Sequence, residues 1–84
     1  MEKILQKLAQ ISNLCYYLNC HSKLNVVLVF NGTKDYLKVK IKDNNDREKF
    51  SQKIESISKK SENYVLKEME LIAEILVKFK EENE

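Results

Sequence analysis

The chain has 84 residues, of which 43% are apolar and 33% charged, and its formal net charge is +2. This composition is typical of a folded globular protein, and the length fits one small domain over residues 1–84. The only glycine is Gly32 and proline is absent, which argues against phosphate-cradling loops and Pro-rich linkers. No apolar run is long enough for a signal peptide or a membrane span, so we expect a cytoplasmic protein without membrane contact.

Residues 2–19 carry apolar side chains at steps of three and four, which predicts an amphipathic helix. Its opposite face is unusual because it carries uncharged amides and Tyr17 where a solvated face normally carries Lys and Glu. Tyrosine is enriched in protein interfaces, so Tyr17 is a candidate partner-binding residue, and a plain polar surface is the alternative.

Cys15, Cys20 and His21 lie close together near the end of this helix. Thiolate and imidazole are zinc ligands, but a structural zinc site needs about four ligands, and cysteines five apart on a helix diverge. The same divergence argues against a disulfide. We expect neither a metal site nor a cofactor, with Cys15 in the core. A lone histidine has no local partner for acid–base catalysis, so we assign no catalytic residue and expect a protein that is not an enzyme.

The dipeptide Asn31-Gly32, the strongest short signal for a hairpin, separates two strand patterns. Residues 24–30 are mostly apolar and rich in valine, and residues 37–42 alternate between apolar and basic side chains after Tyr36. Together they predict an antiparallel β-hairpin.

Two registers of this hairpin remain open. A two-residue loop pairs Leu37 with Val26, and a four-residue loop over residues 31–34 pairs Leu37 with Leu28. Because these registers differ by two residues, both direct the same side chains toward the core. The outer face then carries Val27, Val29, Tyr36, Lys38, Lys40 and Lys42.

A second helix is predicted from Asn45 to about Lys60. Asn45 and Glu48 match a capping box, and a thin apolar stripe follows at helical steps of four and three. This stripe consists of Phe50, Ile54 and Ile57.

A third helix is predicted from Ser61, its N-cap, to about Lys80. Apolar residues cover it nearly all round, and such a helix must be covered nearly all round by other elements. The layout is therefore an α+β fold in the order α-β-β-α-α, with more apolar surface than a hairpin and a thin helix can cover. The surplus surface predicts a partner, either another protein or a second copy of the chain. The candidate contact residues are Val27, Val29 and Tyr36 on the hairpin, or Leu66 and Val77 on the last helix.

Lysines at alternate positions of the second strand predict a basic stripe, a surface that could follow a nucleic-acid backbone. Lysines on an exposed strand also protect sheets from edge-to-edge aggregation, and Arg47 is the only arginine for base readout. Nucleic-acid binding is therefore an alternative function, and its candidate residues are Lys34, Lys38, Lys40 and Lys42.

The predicted layout has three parts: the hairpin around Asn31-Gly32, the link over residues 43–46 and the helices that follow it. This layout resembles that of small phage-encoded inhibitors of the anti-CRISPR type. The resemblance implies a non-catalytic protein in a host cytoplasm that binds and sterically blocks a larger protein or nuclease complex. A self-assembling structural subunit is a further alternative.

Overall fold

The computed structural model of the protein describes residues 2–83. A helix comes first, then three strands, a short 3-10 turn and a second helix. The predicted α+β class is confirmed, but the predicted order is wrong at its fourth element, which is a strand. The bounds are α1 (Glu2–His21), β1 (Asn25–Asn31), β2 (Tyr36–Lys42), β3 (Glu48–Glu55), the 3-10 turn (Ile57–Lys59) and α2 (Glu62–Glu82).

The three strands form an antiparallel sheet in sequence order, with β2 at its centre. Asn31 pairs with Tyr36 and Phe30 with Leu37, so the first turn spans residues 32–35 and neither predicted register is right. Asp35, with a φ of 59°, adopts the left-handed conformation in this turn. The register differs from both predictions by an even number of residues, which keeps every side chain on its predicted face.

Residues 48–55 form β3, although a helix is predicted there. Phe50 and Ile54 share a face in either structure, because side chains four residues apart align on a helix and also on a strand. Gln52, between them on the strand, is half-buried opposite Val39 of β2.

The capping box predicted at Asn45 is also wrong, because the chain makes a turn there. The Asp43 carboxylate accepts hydrogen bonds from the backbone N–H groups of Asn45 (2.8 Å) and Arg47 (2.9 Å). Asp46 has a φ of 63°, a left-handed conformation that aspartate tolerates better than most residues. These local bonds reverse the chain and direct β3 back along β2.

Both helices cover one face of the sheet, with α1 against β1 and α2 against β3. The helices also pack against each other and run parallel: Lys7 forms an ion pair with Glu70, and further along the Lys80 ammonium lies 4.9 Å from the ring centre of Tyr17. The core between the helices and the sheet contains Ile4, Ile11, Cys15, Leu18, Val26, Leu37, Val39, Ile41, Ile54, Ile57, Val65, Met69, Ile72, Ala73 and Leu76.

The third strand and α1 cover only part of the apolar surface of α2 that the predicted layout leaves open. Ala73 is buried and Leu66 is half-buried. Three apolar side chains of α2 remain substantially exposed, namely Tyr64 (46%), Leu71 (49%) and Val77 (37%). Ser61 is the N-cap of α2, as predicted, because its hydroxyl accepts a hydrogen bond from the N–H group of Tyr64. Within residues 2–83, neither helix is long and apolar enough to cross a lipid bilayer.

Candidate interaction surface

The face of the sheet opposite the helices has no covering element among residues 2–83, and we call it the open face. The register places two valines of β1 beside the lysines of β2: Val27 is opposite Lys40, and Val29 is opposite Lys38. Val27 is 47% exposed, which is unusual because the solvent side of an antiparallel sheet is normally polar. The open face consists of Asn25, Val27, Val29, Asn31, Tyr36, Lys38, Lys40, Lys42, Ser51, Lys53 and Glu55.

Carboxylates at the rim of the open face pair with several of its lysines. The Lys40 ammonium lies 3.5 Å from the Glu48 carboxylate, and that of Lys42 lies 3.2 Å from the Asp46 carboxylate. Their side chains are only 31% and 32% exposed, so the aliphatic stems lie along the sheet while the ammonium groups reach solvent. The lysine row of β2, which consists of Lys38, Lys40 and Lys42, is therefore an amphipathic surface, and nearby carboxylates balance much of its charge.

Lys38 differs from the other lysines of the row. It pairs across the strands with Lys53, which places two like charges opposite each other, and no carboxylate of residues 2–83 forms an ion pair with it. Lys53 lies 3.2 Å from the Glu55 carboxylate, and its ammonium sits 4.5 Å from the ring centre of Tyr36. Lys38 is thus the lysine of β2 whose charge is not balanced by an ion pair among residues 2–83.

The turn at the Tyr36 end of this face is held to the chain before α2. The Asp35 carboxylate accepts hydrogen bonds from the backbone N–H of Ser58 (3.0 Å) and from its hydroxyl (2.6 Å). The Ile57 N–H donates to the Asp35 carbonyl. Lys34 lies in this turn, where its N–H donates to the Asn31 side chain, and not in the strand row with the other predicted nucleic-acid residues.

Comparison with protein-family models, curated proteins and solved structures finds no match to this chain. The residues alone therefore carry the interpretation of this surface.

The six residues predicted to bind a partner lie on two separate sides of the molecule. Val27, Val29 and Tyr36 share the open face, whereas Tyr17, Leu66 and Val77 belong to the helix layer. The helix layer also has a groove beside α1 and α2, lined by Gln6, Ala9, Gln10, Asn13, Leu14, Tyr17 and Lys80.

Tyr17 has contacts of its own within the helix layer. Its ring lies 4.5 Å from that of His21, centre to centre, and the Lys80 ammonium lies over it. These contacts half-bury Tyr17, so less of its surface is available to a partner than the exposed helix face predicts.

The cysteines diverge as their spacing predicts. Cys15 is buried in the core, Cys20 is exposed, and both are free. Burial raises the pKa of the Cys15 thiol to about 11, because desolvation disfavours the thiolate. Within residues 2–83, no three His, Cys, Asp or Glu side chains are grouped closely enough to hold a metal ion.

Asn19 has a structural role beyond its predicted place at the end of α1. Its side-chain carbonyl accepts a hydrogen bond from the Val26 N–H, and its amide donates to the Val26 carbonyl, both at 2.8 Å. These two bonds dock α1 on the outer edge of β1. No local sequence pattern shows this contact, because the partners are on different elements.

Proposed function

We propose that the protein is a non-catalytic interaction module that binds another protein through the open face of its sheet. The exposed Val27, beside half-buried Val29, supports this most directly. The two valines form an apolar strip on the edge strand β1, and Tyr36 and the lysines of β2 lie along one side of it. An exposed apolar strip beside polar side chains is a common feature of a protein-interaction site.

The proposed mechanism is steric. Three hydrogen-bonded strands packed against the helices form the open face, so binding requires little ordering of the free protein. A partner with an apolar patch bordered by carboxylates fits this face, since Lys38 has no acidic neighbour across the strands. The bound domain, with a maximal extent of 36 Å, would block whatever else uses that patch of the partner.

A matched pair of valine variants tests the proposal. Immobilised wild type, Val27→Ser and Val77→Ser are used to capture proteins from nuclease-treated lysate of cells that encode the chain. Val77 is a similarly exposed valine in the helix layer. We expect one protein to bind wild type and Val77→Ser, and to bind Val27→Ser at least about tenfold more weakly, because an interface core tolerates polar truncation poorly. Loss with Val77→Ser and retention with Val27→Ser would instead assign binding to the helix layer.

Nucleic-acid binding is the second candidate, and the unbalanced charge at Lys38 favours it. Lys38→Glu is titrated against a short duplex and a single strand at several salt concentrations, with Lys67→Glu on α2 as the control. Backbone binding at this face predicts an affinity that falls as salt rises and falls further with Lys38→Glu. An affinity that does not depend on salt would exclude this mode.

A further inference from the structure

The two outer strands of the sheet differ in how their edges are protected. In β3, Glu48, Lys49, Lys53 and Glu55 are charged, and a register irregularity interrupts its pairing with β2. Charges and bulges are the usual means of preventing an edge strand from pairing with another chain. The seven residues of β1, NVVLVFN, include no charge. The edge of β1 therefore lacks the protection that β3 has.

The hydrogen bonds of Val26 show which backbone groups of β1 point away from β2. Partners in an antiparallel pair alternate between residues that exchange both hydrogen bonds and residues that exchange none. The N–H and C=O of Val26 both bond to Asn19, so they point away from β2. Leu28 and Phe30, two and four residues further along the strand, must also direct their N–H and C=O groups outward.

Side chains at the end of α1 cover only part of this edge. Asn19 covers Val26, and the Ser22 hydroxyl accepts a hydrogen bond from the Leu24 N–H. Within residues 2–83, no side chain makes a hydrogen bond to the outward groups of Leu28 or Phe30. The open edge is therefore a defined segment of β1, bounded on one side by Asn19.

Exposed apolar side chains lie near the open edge. The Phe30 side chain, on the helix side of the sheet, is 50% exposed. Tyr16 precedes Asn19 by three residues and so lies on the side of α1 nearest this edge, and Leu5 lies on the same side because eleven residues make about three turns. Tyr16 is 73% exposed and Leu5 is 54% exposed.

We propose that the protein forms a symmetric dimer in which β1 pairs antiparallel with β1 of a second copy. Leu28 of each copy is opposite Phe30 of the other, and the two-fold axis passes between the two Val29 residues. In this register the outward N–H and C=O groups of Leu28 in each copy bond to those of Phe30 in the other. The hydrogen bonds between Asn19 and Val26 are kept in both copies. A register centred on Leu28 would instead pair Phe30 with Val26, whose backbone groups are already bonded.

A second copy fits this edge better than an unrelated strand. In the second copy Asn19 also covers Val26, so the segments with free outward backbone groups have the same length in both copies. Because β1 has no charge, pairing the two β1 strands places no like charges opposite each other. The paired strands join the two three-stranded sheets into one, and they bring Leu5, Tyr16 and Phe30 of both copies toward the junction. This inference rests on the edge of β1 and not on the partner proposed for the open face.

Single cysteines test both the dimer and its register. Val29→Cys and Val27→Cys are each made with Cys20→Ser, which removes the exposed native thiol. In the proposed register the α-carbons of position 29 in the two copies form a non-hydrogen-bonded pair about 4.5 Å apart, within disulfide range, whereas those of position 27 are more than about 12 Å apart. Under mild oxidation we expect Val29→Cys to cross-link at least about tenfold faster than Val27→Cys.

Light scattering on the wild type and on two charge variants supplies an independent readout. We expect a wild-type dimer, monomers of Val29→Lys and Val29→Glu measured separately, and a dimer again when these two variants are mixed, because each introduced charge then faces an opposite charge across the axis. A wild-type monomer at millimolar concentration would overturn the proposal, and equal cross-linking of Val27→Cys and Val29→Cys would overturn the register. A monomer could still capture another protein through Val27, so neither result contradicts the function proposed for the open face. The dimer and the open-face proposal can therefore fail independently.

Discussion

Alternate residues of β2 give its two faces opposite properties. Leu37, Val39 and Ile41 are each 0% exposed against the helices, whereas the lysines between them are half-buried on the open face. One face contributes stability through apolar burial, and the other contributes little to folding because its charges remain hydrated. Substitutions on the open face can therefore change recognition without unfolding the domain.

The two faces should differ most in how much a substitution lowers the free energy of unfolding, and Leu37 and Lys38 of β2 test this. Leu37→Ala leaves a cavity in the core and should lower the free energy of unfolding by about 2–5 kcal/mol, whereas Lys38→Ala should change it by less than about 0.5 kcal/mol. Urea unfolding followed by circular dichroism measures both. A loss below about 1 kcal/mol for Leu37→Ala would contradict the burial of β2 under the helices.

The two faces of α1 should differ in the reactivity of their cysteines. With a pKa of about 11, only about one Cys15 thiol in a thousand is ionised at pH 8, and burial restricts access further. We expect one thiol per chain to react promptly with a disulfide reagent and the second to react only on unfolding. Cys20→Ser should abolish the prompt reaction, whereas Cys15→Ser should leave it; prompt reaction of both thiols would show that the core opens.

Val26 and Val27 give a closer comparison, because they are adjacent valines of β1 whose side chains point to opposite faces of the sheet. Val26 is 5% exposed and Val27 is 47% exposed. Val26→Thr buries a hydroxyl and should cost about 1–3 kcal/mol of stability, whereas Val27→Thr should cost less than about 0.5 kcal/mol. Equal losses, measured by urea unfolding of both variants, would show that the open face is covered in solution.

The sequence predicts the elements whose pattern fits one structure only. β2 has the predicted bounds because strict alternation between apolar and basic residues has no helical equivalent, and α2 begins after the predicted cap at Ser61. The pattern of β3 is ambiguous, since the spacing of Phe50 and Ile54 fits a helix and a strand equally. Hydrogen bonding to β2 decides the outcome, and that contact depends on residues distant in sequence.

The candidate surface was predictable only in part for the same reason. The even shift in register kept Val27, Val29 and Tyr36 together, so alternation was sufficient to identify the open face. Sequence could not show that α1 would cover Leu66 or that Asn19 would cover Val26, because both contacts depend on how the helices dock. The carboxylates that balance the lysines come from the turn after β2 and from β3, where the sequence predicts a helix.

The smallest expected effect is at the turn after β2, which belongs to neither face. The hydrogen bond from the Arg47 N–H, together with that from Asn45 and the nearby charge of Lys49, lowers the pKa of the Asp43 carboxyl from 3.8. A carboxyl whose pKa is lower in the folded state stabilises the fold above its unfolded pKa, and this contribution is lost as the pH falls through the folded value.

Carbon-13 NMR titration of the Asp43 carboxyl should therefore give a midpoint below 3.8. In Asp43→Asn the side-chain carbonyl can still accept the turn hydrogen bonds, but no charge is present at any pH. Its stability should consequently vary less than that of the wild type between pH 6 and pH 2. Asp46→Asn is the matched control, since it removes a charge from the same turn without disturbing the hydrogen bonds to Asp43. An Asp43 midpoint at or above the ordinary value would mean that the turn does not hold its carboxylate in solution, and the path from β2 into β3 would then depend on strand pairing alone.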